Sequence, residues 1–407
     1  MVAMLIVVCA VSSLRAQGGS NYSSYGLGDV RHNHGALYDA VAGTSIAYPT
    51  SHGINLVNPS LLGMASTSRL QIGYRFNQYY INTDQTSLWQ NNGELDGALI
   101  LFSIDTTLGA GITFGVTPAS SINYSVTRNL VIDVDGTAVT GRSNQLGEGG
   151  VTTVVLGGSF RPMKWLHVGV LGSALFGTMT YTDEVTIDGD GNFNAKGQSI
   201  YNLDGGFIRM GLYSNVTDNF NAGFIASIGT SSDVLKRNRL SGFNSVSISF
   251  DTTWTDEYRT QLPLTLGLGF SYTSGKVIFA LDGEYTDWSS FSMRSNGDAE
   301  FRPTLRASFG ISRPGVTTSV AAYDDRMGFH GGLGYQQMYY SIRGQNLDEL
   351  FLTFGTDFPV GGAAMIDLAF QVGMRGTTSS DLLQEYIGRF TATVSIGDTW
   401  FKPFKRE

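Results

Sequence analysis

Toward its C-terminal end the chain alternates apolar and polar positions with a period of two through two consecutive segments. Across residues 385–397 the even positions are Tyr386, Gly388, Phe390, Ala392, Val394 and Ile396, while the odd ones include Arg389, Thr391, Thr393 and Ser395. In the segment before it Ala364, Ile366, Leu368, Phe370, Val372 and Met374 fall on one side, and Asp367, Gln371 and Arg375 on the other. The pattern recurs earlier. Leu70, Ile72, Tyr74 and Phe76 oppose Arg69, Gln71, Arg75 and Asn77, and Val277, Phe279, Leu281 and Tyr285 oppose Asp282, Glu284 and Thr286. Leu262, Leu264, Leu266, Leu268 and Phe270 form one more apolar face, with Pro263 on its reverse, where a missing N–H implies a bulge or kink. Period two sends successive side chains to opposite faces of a strand. A soluble sandwich buries its apolar face in a protein core. A transmembrane β-barrel turns that face to lipid and the polar face to a lumen. On the barrel reading Phe390 and Leu368 face lipid, and the inward neighbours Thr391 and Ala369 accept polar replacements.

Short connections, such as residues 161–164, 272–275 and 359–362, alternate with longer polar stretches near 81–94, 135–148, 186–204 and 232–257. Short turns at one rim and long loops at the other are the outer-membrane arrangement, and the segments between them number about fourteen. The expected fold class is therefore all-β, a transmembrane antiparallel β-barrel of about 14 strands. Residues 17–67 show no such alternation. A lumen of this width must be filled or conduct water, and this segment is long enough to fill it. The expected organisation is a signal peptide (1–16), an N-terminal hatch or plug (17–67), the barrel (68–401) and a periplasmic tail (402–407).

Composition narrows the class. The apolar run from Val2 to Val11, followed by Leu14-Arg15-Ala16, reads as a secretory signal and is too short to span a bilayer. Cys9, the single cysteine, lies within it, so the expected mature chain has no disulfide and no thiol chemistry. The net charge of −8 becomes −9 on loss of Arg15, which disfavours nucleic acid as a partner. With 52 Gly, 12% aromatic and only 15% charged residues, the chain suits many strands, turns and interfacial aromatic girdles.

Two stretches carry a family resemblance. Residues 43–63, GTSIAYPTSHGINLVNPSLLG, place Asn58-Pro59-Ser60 ahead of the first strand, and the chain ends GMRGTTSSDLLQEYIGRFTATVSIGDTWFKPFKRE. The first resembles the Asn-Pro-Ala hatch motif of the FadL-type long-chain fatty-acid and aromatic-hydrocarbon transporters of Gram-negative outer membranes, with Ser60 in place of Ala. The second resembles the termini of a branch of that family. Phe114 to Pro118 and Tyr285 to Ser289 add weaker likenesses. The resemblance implies a fourteen-stranded barrel with a hatch, a cell outer-membrane location, and passive uptake of a hydrophobic ligand through a lateral gap. Outer-membrane lipid and the barrel-assembly machinery are the implied partners, with no cofactor. Trp400 and Phe401 read as girdle or assembly-signal residues.

His32, His34 and His52 invite a zinc or copper reading, but no cysteine or clear carboxylate accompanies them, so no metal is assigned. Asp188, Asp190 and Asn192 imitate a calcium loop, yet Phe193 and Ser199 stand where it needs glycine and an acid. His167 and His330 lack a serine motif, so no catalytic residue is assigned. Inward charges of both signs, Arg69, Arg75, Asp282, Glu284, Glu349, Asp357, Asp367, Arg375 and Arg389, are expected to form a network that holds the hatch. Ile278, Phe351, Met365 and Ile387 are inward apolar positions that suit either an alkyl pocket or packing on the hatch. The leading expectation is an importer of long-chain fatty acids or hydrocarbons. The alternative is a barrel of the same fold serving a structural or secretion role, like the shuttle proteins of type IX secretion, with loops that bind protein.

Overall fold

A computed structural model describes residues 18–83, 87–134, 137–189, 194–243, 248–293, 298–316 and 320–400. The expected signal peptide with Cys9, the tail 402–407, Phe401, and Asp190 and Asn192 lie outside these residues. Fourteen antiparallel strands close into a barrel. They are β1 (Ser68–Asn82), β2 (Ser87–Asp105), β3 (Ala110–Val134), β4 (Thr137–Met163), β5 (Leu166–Ile187), β6 (Asn194–Asn215), β7 (Phe220–Gly229 with Ser231–Phe243) and β8 (Ile248–Gln261 with Leu264–Ser274). The wall continues through β9 (Val277–Asp287), β10 (Ala299–Phe301 with Thr304–Arg313), β11 (Gly328–Ile342), β12 (Gln345–Gly361), β13 (Ala364–Gly376) and β14 (Gln384–Asp398). Pairing of β14 with β1, from Gln384↔Asn82 to Asp398↔Ser68, closes the ring and leaves no sheet edge at the seam.

Alternation decides which side of the wall each residue takes. Leu70, Ile72 and Tyr74 on β1, Leu266 and Leu268 on β8, and Val394 and Ile396 on β14 are exposed on the outer surface, while Thr391, Thr393 and Ser395 are buried inside. Aromatic side chains cluster at two levels of the outer surface. Tyr80, Trp89 and Tyr386 stack near the ends of β1, β2 and β14, and Phe102 meets Trp400 near the opposite rim, with ring centroids 4.8–6.1 Å apart. An apolar belt bounded by aromatics is the form that a bilayer imposes. Arginine at Phe390, within that belt, is expected to destabilise the barrel by about 2–4 kcal/mol near the midplane. Urea unfolding from lipid vesicles measures it, and a cost no larger than for a conservative Phe390→Leu change would contradict the assignment of that face to lipid.

The structure corrects the loop assignment. Most of the polar stretches near 135–148, 186–204 and 232–257 are strand, because β3 to β8 run well beyond the rest of the wall, and most of 81–94 belongs to the ends of β1 and β2. β3 and β4 have 25 and 27 residues, whereas β9 has 11 and β13 has 13. Above the apolar belt a strand has no greasy face to show, so Thr-, Asn- and Ser-rich strands look like loops in sequence. At Pro263 the ladder is interrupted, and Leu262 turns inward and is buried while Leu264 to Phe270 stay on the outer face.

Candidate functional site

Residues 18–67 lie against the inward faces of strands all round the barrel, and most of them are buried. The Asn58-Pro59-Ser60 motif shows how sequence sets this local structure. Asn58 caps a short 3-10 helix (Pro59–Met64): its Oδ1 accepts from the Ser60 backbone N–H at 3.1 Å and from the Ser60 hydroxyl at 2.6 Å. Its Nδ2 donates to Ile46 O at 2.6 Å and, across to β6, to Leu212 O at 3.0 Å. Proline suits the first turn because no N–H is needed there. The helix comes so close to the wall that a Cβ on Gly169 or Gly211 would collide with Pro59 or Asn58. The hydroxyl that distinguishes Ser60 from the usual alanine is used within the cap itself.

The inward charges meet this segment at successive levels. Arg75 pairs with Asp39 at 2.6 Å, beside the short helix α1 (Ala36–Ala40), and Thr391 donates to the same carboxylate. Asp282 accepts the backbone N–H groups of Ser45 and Ile46 at 2.6 and 2.9 Å. Glu284 pairs with Arg306, which also donates to Ala42 O. Asp357 takes His330 at 2.6 Å and Asp367 takes His52 at 3.2 Å. Glu349 joins Arg375 and Arg389 at 2.6 and 2.8 Å, and Arg375 continues to Asp29 at 2.9 Å and toward Glu385. Arg69 stands apart, bonded among the described residues to Ala363 O and Ser395 Oγ. Asp29, Asp39, Arg306 and Glu385 complete this arrangement without having been singled out from the alternation, since half of the partners lie on the irregular segment, where period two says nothing.

His52 gives this network a pH-sensitive member. Burial pushes its imidazole down, but the Asp367 and Asp357 carboxylates outweigh that and hold it above its ordinary value. A raised folded-state pKa stabilises the fold fully below the unfolded value of about 6.5, and the contribution disappears as pH rises through the folded-state value. The protein should therefore lose stability from about pH 6.5 upward, and His52→Gln should flatten that slope. Urea midpoints measured across this range check it; identical slopes in the two proteins would exclude the pairing.

The wall is broken in one place. β2 pairs with β1 from Asn82↔Ser87 to Arg69↔Leu101, but it pairs with β3 only from Ala98↔Val116 to Asp105↔Ala110. Above that point, among the described residues, the β3 ladder runs to β4 and to the N-terminal segment, and β2 reaches β3 through a side chain, Gln90 Nε2 donating to Ser125 O at 3.1 Å. Two features end the pairing. Asp96 forms a bulge against β1 next to Gly97, whose φ of +123° suits only glycine, and Pro118 on β3 has no N–H to offer. The N-terminal segment occupies the open edge: Asp29 and Val30 pair with Ser121 and Ser120, and Arg31 N donates to Ala119 O at 2.9 Å. The bulged carboxylate secures it, with Asp96 accepting from Arg31 at 2.5 Å and from the Gly35 N–H at 2.7 Å and facing Arg75 at 3.3 Å. Asp96 was not singled out in the sequence either. Its signal is the run Gly93-Glu94-Leu95-Asp96-Gly97, acids bracketed by glycines inside a strand.

Behind the break lies a cavity of about 160 Å³, walled by Leu27, Val30, Val57, Leu171, Phe207 and Trp288, with Arg209 and Glu284 among its polar contacts. On the outer surface beside the break Leu95, Pro118 and Phe176 line a depression. The four apolar lumen candidates do not come together there. Ile278 packs on Tyr38, Val41 and Tyr48; Ile387 packs with Tyr79 and Ile81; Phe351 edges a small polar pocket; and Met365 lines a separate cavity near the short-turn rim. His34 faces Asp96 O at 3.3 Å, whereas His52 lies with Asp357 and Asp367, so the three imidazoles do not form one group.

The fold is shared with solved channel proteins at low identity. The "CymD monoaromatic hydrocarbon channel" matches with a TM-score of 0.60 and 13% identity over 91% of this chain and 99% of that one. The Ralstonia pickettii toluene transporter TbuX matches with a TM-score of 0.62 and 15% identity over 89% and 98%. A Pseudomonas aeruginosa FadL homologue matches with a TM-score of 0.62 and 11% identity over 90% and 99%. No curated protein sequence matches the chain. The FadL-type resemblance drawn from the hatch motif and the C-terminus therefore holds at the level of the fold. The sequence model that covers residues 1–407 in full is a different one, described as BamG. On that match the chain belongs to the BamG family.

Proposed function

We propose that this protein is an outer-membrane barrel that takes up small hydrophobic molecules passively, with residues 17–67 as its plug and the break between β2 and β3 as a sideways exit into the membrane. The observation that carries the reading is the break itself, with a cavity of mixed apolar and polar lining behind it and the N-terminal segment, through Asp29, Val30 and Arg31, across it. Burial of apolar surface is worth about 0.8 kcal/mol per methylene, so a greasy solute gains by leaving into lipid and loses by crossing a polar lumen. A cavity of about 150 Å³ lined by apolar side chains holds benzene. The cavity of about 160 Å³ here is thus sized for a single ring. That agrees with the toluene and monoaromatic cargo for which the neighbouring structures are named. The short-turn rim faces the periplasm and the long strands face outward.

The test is a tether across the break. Val30 and Ser120 are directly opposed, and the spacing of about 4.5–5.5 Å between Cα atoms in such pairs suits a disulfide. With Cys9 replaced by alanine, the oxidised Val30→Cys/Ser120→Cys protein should take up toluene poorly in intact cells, and reductant should restore it. Equal uptake by the oxidised and reduced forms excludes the lateral route.

A second reading rests on a different observation. Among the described residues, 248–261 of β8 pair with β7 on one side only, and Ile248 and Trp254 on this stretch are exposed. An open edge is a template for a strand of another protein, as a structural or secretion-associated barrel requires. Under this reading, introducing proline at Thr253 and Thr255 removes a defined co-purifying partner and leaves toluene uptake unchanged.

A further inference from the structure

On the lumen side of β12 and β13, toward the short-turn rim, two carboxylates are set against each other. Asp357 and Asp367 are directly opposed across the ladder, and both are buried. Like charges in that position repel, and burial raises the cost. Two imidazoles approach the pair, His330 from the wall and His52 from the N-terminal segment. His330 Nε2 lies 2.6 Å from Asp357 Oδ2, and His52 Nε2 lies 3.2 Å from Asp367 Oδ1 and 4.0 Å from Asp357 Oδ2. The 3.2 Å contact is not a hydrogen bond. Neither His52 Nε2 nor Asp367 Oδ1 has a hydrogen-bond partner among the described residues, although Asp367 is only 3% exposed. Two buried polar atoms that lie close but are not aligned on each other call for a third group between them. His330 is already oriented for such a role, since its Nδ1 faces Ser312 Oγ at 2.8 Å and that hydroxyl accepts from Tyr48 at 2.7 Å. A metal-binding imidazole is usually fixed through its other ring nitrogen in this way. Arg69 lines the same cavity but is bonded, among the described residues, to Ala363 O and Ser395 Oγ and to neither carboxylate.

We propose that His52, His330, Asp357 and Asp367 bind a zinc ion that fastens the N-terminal segment to the wall. Two imidazole nitrogens and two carboxylate oxygens are a zinc donor set, and four protein ligands make a closed, structural site. Ligand atoms about 2.0–2.2 Å from a tetrahedral zinc stand about 3.3–3.5 Å from one another. The three separations of 2.6, 3.2 and 4.0 Å bracket that spacing. The four groups do not already enclose a cation position. Closure requires the His330–Asp357 hydrogen bond to open by about 0.7 Å and His52 to move inward by a similar amount. A cavity of about 450 Å³ lined by His52, His330 and Asp357 gives a hydrated ion its way in. One divalent cation balances the two carboxylates, and through His52 it joins the plug to β11, β12 and β13. The site is independent of the sideways exit. The pH dependence given above for His52 belongs to the metal-free protein.

Calorimetric titration of zinc into the full-length, untagged protein in a non-ionic detergent, stripped beforehand with a chelator, tests it. One equivalent per chain should bind, and cobalt(II) in its place should give the intense visible bands of a tetrahedral site. His52→Gln and Asp367→Asn should each weaken zinc binding by about tenfold or more, the loss seen even when only a group behind a ligand is removed. Both should abolish the cobalt bands. His34→Gln, which alters a histidine of the same segment outside the cluster, should bind as the parent does. Zinc should also raise the urea midpoint of the parent and leave that of His52→Gln unchanged. Absence of a stoichiometric equivalent in the parent overturns the proposal, as do the weak bands of octahedral cobalt. Equal zinc affinity in the parent and Asp367→Asn overturns it too, and that variant decides alone if His52→Gln fails to insert. Loss of binding in His34→Gln with retention in Asp367→Asn would place the metal elsewhere and overturn it as well.

Discussion

Replacing Arg375 by methionine is expected to destabilise the folded barrel by about 3–5 kcal/mol, the usual cost of removing one member of a buried ion pair. The guanidinium is 1% exposed and is the common partner of Glu349, Asp29 and, at longer range, Glu385. It also donates to the Ser20 hydroxyl, so it joins β12, β13 and β14 to the start of the described chain. Methionine fills the volume but leaves Glu349 with Arg389 as its remaining cation, beside the amides of Gln336 and Gln371, and Asp29 without its cation. The pair Arg259 and Asp233 supplies the contrast, since both side chains are nearly four-fifths exposed. An exposed pair contributes at most about 1 kcal/mol. Urea unfolding of the protein in vesicles measures both variants, and an Arg375→Met effect no larger than that of Arg259→Gln would show that the network contributes little. Asp29→Asn in the same chain should recover part of the loss, because it removes the charge left without its cation.

Deleting residues 18–67 is expected to convert a nearly closed protein into one that conducts ions in a planar bilayer, while the barrel still folds. The closing pairs of β14 and β1 lie wholly outside the deleted stretch. Arg75, Asp282 and Arg375 lose partners in the deletion. They are not stranded in a dry interior, because water enters the emptied lumen and solvates them, which is the difference between this deletion and the Arg375 substitution. Equal conductance before and after deletion would mean that the segment does not plug the barrel.

Much of the wall was legible because period two is a local property. The alternation in residues 364–376 and 384–398 needs no knowledge of distant partners to say that Phe370 and Val394 face out and Asp367 and Thr391 face in, and lipid on one side and a polar lumen on the other enforce the same rule on every strand in the belt. Beyond the belt that force is absent, so the upper parts of β3 to β8 carry no readable face and resemble loops in sequence. The hatch motif was legible for a different reason: Asn, Pro and a hydroxyl residue in a row form a cap from their own atoms.

Which inward residue meets which was decided only in three dimensions. Ala369 reads as an inward position open to polar replacement, yet it packs against Ala36 and Ala40 of α1, where there is no room for a larger side chain. Nothing near Asp96 in sequence names Arg31 or the Gly35 N–H as its partners, and nothing near Val30 places it on the open edge of β3. The sequence by itself determined the closed barrel, the side each belt residue takes and the cap at Asn58, because each follows from neighbours along one strand or one turn. The tertiary structure alone decided the position of the wall break, the pairing of buried charges and the two cavities, because each depends on how an irregular segment without periodicity is seated inside the ring.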